Sequence, residues 1–195
     1  SRESAGEVIS FGAQVRAYVE PLQAALEYQH EGYAAAMASG DVFLAAGNSM
    51  TYCSNSYFAG TNLHTLRDKY AELMKFLEER KQVIFMMQSQ FVQHSIFKLI
   101  GTDEKPKHVS AEELSILSTN NSVRTSYHFN KAFICFMFRS YDGSEENIEK
   151  YLDCISNTWA NLFLLHAYHA FYVGLISFWL ARKSREKQQW HERGI

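Results

Sequence analysis

The sequence predicts an all-α fold in which antiparallel helical hairpins stack as a tetratricopeptide-like α-solenoid of about 7–8 helices. Three observations carry that expectation. The 195 residues contain only two prolines, Pro21 and Pro106, so long stretches lack the strongest helix breaker. Apolar residues recur three, four and seven apart, and no segment sustains the two-residue alternation of a half-buried strand. Glycine followed by a capping residue recurs at about one helix length, which is the spacing of short hairpin turns.

The elements follow in order. Val15, Val19, Leu22, Leu26, Tyr33 and Met37 place one apolar stripe on a helix over 13–39. It stops at Gly40, a residue able to take the left-handed C′ conformation, and Asp41 is placed to cap the next helix, 41–59. Gly60 closes that helix, and Thr61 or Asn62 opens 62–81. There Leu63, Leu66, Tyr70, Leu73 and Leu77 face inward, opposite Arg67, Asp68, Glu72 and Glu79. A broader apolar band from Phe85 to Leu99 makes 82–100 more central, and Gly101 ends it. Residues 101–109 read as the one irregular loop. Ser110 and Glu113 form a capping box for 111–119, with reciprocal side-chain to backbone bonds. Val123, Tyr127, Ile134 and Phe138 stripe 121–141. Asp142-Gly143-Ser144 reads as a tight stop and restart before 144–156, whose Glu145, Glu146 and Glu149 suit a solvated first turn. The last helix is expected over 159–183, followed by a basic, frayed tail over 184–195. Residues 1–195 are thus read as one helical-repeat domain. A start at Ser1 without a methionine is expected of a fragment of a larger protein.

Composition narrows the function classes. Hydrophobic residues at 47% and charged residues at 21% are ordinary for a globular domain. A formal charge of −2 supplies no basic field for nucleic acid. Cys53, Cys135 and Cys154 are odd in number and lie in no C-x-x-C pair, which fits free thiols in a reducing, cytoplasmic setting. The sequon Asn120-Asn121-Ser122 is a triplet that chance supplies often, and no basic-then-apolar leader precedes it.

Each chemistry-bearing pattern has a plain structural reading beside it. Glu27 and His30 share a helical face as an E-x-x-H, but a di-iron bundle needs two such motifs, so this one reads as a polar face. His166 and His169 lie one turn apart in an apolar helix. With His94 or His128 as a third ligand they would hold zinc, whereas core histidines more often bond a carbonyl or tyrosine. The 23 residues from Trp159 to Ala181, flanked by Arg182 and Lys183, approach the length of a membrane span. Asn161, His166 and His169 interrupt it, so it reads as a buried terminal helix. No nucleophile elbow, phosphate-binding loop or kinase motif is present.

A resemblance rests on Ala38-Ser39-Gly40-Asp41 through Phe58-Ala59-Gly60-Thr61-Asn62-Leu63. It continues with Gln90, Leu99-Ile100-Gly101, and Phe171-Tyr172-Val173-Gly174-Leu175 ahead of Trp190. In that order they resemble the degenerate helical-repeat segment of large signalling proteins. In those proteins a regulatory ATPase module precedes tetratricopeptide-like helices, and GAF, histidine kinase, cyclase or Ser/Thr kinase modules lie around them. The resemblance implies a non-enzymatic scaffold without cofactor or catalytic residues, contacting a protein or neighbouring domains. The alternative is a helical bundle that binds a metal or small molecule through an aromatic and histidine pocket, with or without enzymatic activity.

Overall fold

The computed structural model describes residues 2–102, 110–155, 164–182 and 187–194, with the side chains of 2–5, 112 and 187 left aside. All regular structure among them is helical. The helices are α1 (Arg2–Arg16), α2 (Leu22–Ser39), α3 (Val42–Phe58), α4 (Leu63–Glu79), α5 (Val83–Ile100), α6 (Ala111–Thr119), α7 (Asn121–Met137), α8 (Tyr141–Ile155), α9 (Leu164–Ala181) and α10 (Lys187–Arg193). They form two compact units, Ser1–Pro106 and Lys107–Ile195, where the sequence reading has a single domain over 1–195. In each unit, helices adjacent in sequence pack on one another.

In the first unit the expected helix over 13–39 is broken. Pro21 has no N–H to continue the ladder, so α1 ends at Arg16, residues 17–20 turn, and α2 starts at Leu22. The break also reverses the expected role of Val15 and Val19, which face solvent rather than the core.

Further along, the chain turns by repeated local chemistry. Gly40 sits at φ 79°, letting the Asp41 N–H reach back to the Ala36 carbonyl at 2.9 Å. The Asp41 carboxylate then accepts the Leu44 N–H at 2.9 Å and caps α3. Gly60 at φ 80° repeats the device, and the Asn62 side chain accepts from the His64 and Thr65 amides. Between α4 and α5 the left-handed position is taken by Lys81, at φ 54°. Gly101 at φ 80° ends α5. The core of this unit gathers Ala46, Cys53, Leu66, Tyr70, Leu77 and Ile96 from α3, α4 and α5. Where α1, α2 and α3 meet, a Cβ on Gly32 would lie 2.8 Å from Asn48 Oδ1. That close approach leaves room for Asn48 Nδ2 to donate to Ser10 Oγ at 2.6 Å.

In the second unit, Ser110 Oγ accepts from the Glu113 amide at 3.1 Å, and the Ser110 amide donates to the Glu113 carboxylate at 2.7 Å. Asn120 serves two helices: its N–H donates to Ile116 at the end of α6, and its side chain accepts from Val123 at the start of α7. The stop expected at Asp142-Gly143-Ser144 lies earlier. Arg139 takes the left-handed conformation at φ 61°, and α8 already runs through Gly143. There a Cβ would meet Cys135 Sγ at 2.7 Å, so Gly143 permits α7 and α8 to approach and does not form the turn.

The tail reading for 184–195 is overturned for its described part. Residues 187–193 form α10, and Trp190 is fully buried, with Nε1 donating to Glu145 at 3.1 Å. Arg193 lies over the Trp190 ring at 4.6 Å and 3.8 Å from Glu149. The amphipathic pattern of α10 was masked by its basic composition. Glu145 and Glu149 accordingly contact α10, while Glu146 pairs on the surface with Lys150 at 2.6 Å. α9 is long and apolar enough to cross a membrane, at mean hydropathy 1.3, and its Ile176, Ser177 and Leu180 are buried within the unit. Residues 103–109 of the expected loop and 156–163, including Trp159 and Asn161, lie outside the described residues.

Candidate functional site

Of the histidines named as possible ligands, His128, His166 and His169 belong to the second unit. His169 is buried, stacked on Phe129 at 3.6 Å between ring centroids and 18° between planes, with Tyr151 edge-on at 5.7 Å. Burial, reinforced by His166, lowers its pKa to about 3, so the ring is neutral and packs as an aromatic. His166 keeps a buried Nδ1 without a hydrogen-bond partner among the described residues. His128 pairs with Asn147 at 3.0 Å, and burial is the main cause of its lowered pKa. His94 belongs to the other compact unit. Among the described residues no group of three or more His, Cys, Asp or Glu side chains could hold a metal ion.

The first unit contains a different feature, a cleft of about 230 Å³ bounded by three helices. α2 supplies Gln29, His30 and Tyr33; α3 supplies Ser49, Tyr52 and Cys53; α4 supplies Lys69, Glu72, Leu73 and Phe76. Its floor is Gln29, Cys53 and Leu73, all buried, and its mouth carries the exposed His30 and Glu72. Gln29 is 1% exposed, yet its Nε2 finds no hydrogen-bond partner among the described residues. Leaving a buried donor unmade costs about 1–3 kcal/mol. Tyr33 and Phe76 meet edge to face at 5.9 Å and 76°, forming an aromatic corner. Lys69 donates to the Tyr52 hydroxyl at 2.5 Å and lies 4.4 Å from the centroid of that ring. Burial pushes the Cys53 thiol up to about 12, against a smaller lowering by Lys69. That thiol stays protonated and is a poor nucleophile.

The cleft includes His30 of the expected polar face, but Gln29, between Glu27 and His30, is the buried member. Sequence periodicity gave no sign of this, because a glutamine beside a charged residue reads as solvated. Gln29 shares its buried side of α2 with Ala25, Gly32 and Ala36, and Gly32 lies close against Asn48 of α3.

A second unusual surface lies on α1 and the turn after it. Val8, Phe11, Val15, Tyr18 and Val19 are between 54% and 82% exposed. The face packed inward instead carries Gly6, Ser10, Ala13, Gln14 and Ala17. The amphipathicity of this helix is inverted: small residues make the intramolecular contact and large apolar ones are left outside. On α9, Phe171, Leu175 and Phe178 are also exposed, at i, i+4 and i+7. Comparison of the chain with protein-family models, curated proteins and solved structures gave no match.

Proposed function

We propose that this chain is a non-enzymatic, tetratricopeptide-like helical scaffold that makes protein–protein or interdomain contacts in a cytoplasmic signalling protein, with the outer face of α1 as its contact surface. The inversion of α1 is the observation that supports this reading. On α1, Val8, Phe11 and Val15 recur at spacings of three and four, the seam of one helix packing along another, and Tyr18 follows in the adjoining turn. At 1.5 Å per residue the helical part of the stripe, from Val8 to Val15, runs roughly 10 Å, two turns of helix, and Tyr18 and Val19 extend it in the turn that follows. A surface of that form is complementary to the apolar face of an amphipathic helix, which buries it by helix-in-groove docking. The small inner face already satisfies the fold, so the outer residues contribute little to stability and are free to serve recognition.

A photo-crosslinking amino acid placed at Val15 in the cell, compared with one at the exposed Glu31 on α2, tests the reading. The expected result is a discrete adduct to another protein or a neighbouring domain at position 15 and none at 31. Equal diffuse labelling at both positions, or adducts to lipid alone at 15, removes it. Turnover of ATP by the purified chain would remove the non-enzymatic part.

A further inference from the structure

We propose that the second unit sits on an anionic membrane surface, laying the outer face of α9 and the adjoining end of α7 into the lipid interface without spanning it. This site is separate from the α1 face that meets protein, so each stands or falls alone. α9 holds no Asp, Glu, Lys or Arg over its 18 residues, and only 33% of it is buried. A helix that turned the rest of its surface to water would carry charged side chains there. Instead the outward stripe reads Ala167, Phe171, Leu175 and Phe178, at spacings of four, four and three. Phe171 is 60% exposed, and Leu175 and Phe178 are each 40% exposed. An uninterrupted apolar stripe of this kind marks a surface that something covers.

A second helix adds apolar surface at one end. Phe136 of α7 meets Trp179 of α9 at 5.4 Å between ring centroids, and the Tyr141 hydroxyl donates to the Leu180 carbonyl at 2.5 Å. The C-terminal ends of α7 and α9 therefore lie together. Met137 and Phe138, at that end of α7, are 47% and 58% exposed. Large apolar side chains exposed on two helices, beside a half-buried tryptophan, differ from the narrow seam that one partner helix fills. Tryptophan at the edge of an apolar surface suits the boundary between acyl chains and headgroups.

Charge selects anionic lipid. Arg139 follows Phe138 directly, and Arg182 lies four positions beyond Phe178, just past the end of α9; both are exposed. In sequence, Arg182 opens the stretch 182–187, which holds four cations against the single Glu186. Asp142, exposed at the start of α8, offsets one of these charges and leaves the balance positive. Glu145 and Glu149 of α8 are turned to α10. Cations bordering exposed rings are drawn to anionic headgroups while the rings enter the acyl boundary. The opposite face of α9 stays within the protein, where His169 stacks on Phe129 and Ser177 and Leu180 are buried. α9 therefore lies in the plane of the interface and does not cross the bilayer.

The test is co-sedimentation of the full chain with vesicles of phosphatidylcholine mixed with phosphatidylserine, beside vesicles of phosphatidylcholine alone. Binding to the mixed vesicles is expected to be at least about tenfold tighter and to weaken as salt is raised. Phe171→Glu combined with Leu175→Glu should weaken it at least about tenfold; Phe178 is left in place because it packs on His191 of α10. Arg139→Glu combined with Arg182→Glu should remove the preference for phosphatidylserine. Circular dichroism establishes that each variant is folded. Should the α9 variant fail to fold, broadening of the Leu175 and Met137 methyl resonances of the unaltered chain by spin-labelled lipid replaces it. Absence of binding to the mixed vesicles, or equal binding to both kinds, overturns the proposal. So does binding that survives the folded α9 variant, or methyl resonances that spin-labelled lipid leaves sharp. A dimer that the α9 variant dissociates, without vesicle binding, also overturns it and gives the stripe to a second copy of the chain.

Discussion

Acidification should destabilise the second unit through a single ring. In the fold His169 is stacked on Phe129 and buried, and its pKa is lowered to about 3. In the unfolded chain it titrates near 6.5. Between those values the unfolded state binds a proton that the folded state refuses, so stability is complete above about pH 6.5 and falls as pH drops towards 3. Each pH unit in that window removes about 1.4 kcal/mol, which amounts to about 2–3 kcal/mol at pH 4.5. Other groups also titrate there, so the measurement is a difference. Urea unfolding is followed by tryptophan fluorescence for the wild type and for His169→Phe, at pH 7 and at pH 4.5. The wild type should lose about 2–3 kcal/mol more than the variant between the two pH values. His169→Phe keeps an aromatic ring against Phe129 and Tyr151 but cannot be protonated. Equal losses, or an NMR titration of His169 with a midpoint near 6.5, would refute the packing argument.

Two further outcomes follow from the turns and the last helix. Lys81 spends about 1–2 kcal/mol holding φ 54°, so Lys81→Gly should gain about 0.5–1 kcal/mol after glycine's own entropy cost, seen as a higher Tm of the first unit. Trp190→Ala should cost about 3–5 kcal/mol and leave Glu145 without its indole donor, read by denaturant unfolding and by loss of near-UV dichroism.

What could be read in the sequence was what is decided locally. A left-handed helix end needs glycine within a few residues, and Gly40, Gly60 and Gly101 advertise it. A capping box is complete within four residues, as at Ser110 to Glu113. Lys81 and Arg139 do the same work without the residue that signals it, so the end of α7 was misplaced by four residues towards Gly143. The all-helical class was legible for a similar reason, because period is a property of one segment. Which face of a helix is buried is a property of two segments. The period put Val15 and Val19 on one inward stripe of an unbroken helix, whereas Val15 ends up on the outside of α1 and Val19 in the turn after it, and only packing against α2 and α3 decides that Ala13 and Ala17 are the buried side. Pro21 was visible, yet an unbroken apolar stripe outweighed it, and the chain resolves that conflict in favour of the missing N–H. The cleft was illegible because its unmet donor, Gln29, becomes exceptional only when Cys53 and Leu73 close around it. Trp190 was hidden for a different reason: five of the other six residues of α10 are charged or amides and the sixth is His191, so composition dominated a pattern only seven residues long.

The inward turn of alanine and glycine along α1 has an evolutionary consequence. Most helices cannot alter their large apolar residues without loosening the protein that carries them, so drift in recognition is tied to drift in folding. On α1 the large apolar residues and the buried small ones lie on opposite sides of the same rod. If the outer side is the contact surface proposed above, substitutions at positions 8, 11 and 15 can accumulate and retune association, while Ala13 on the inner side keeps the packing constant.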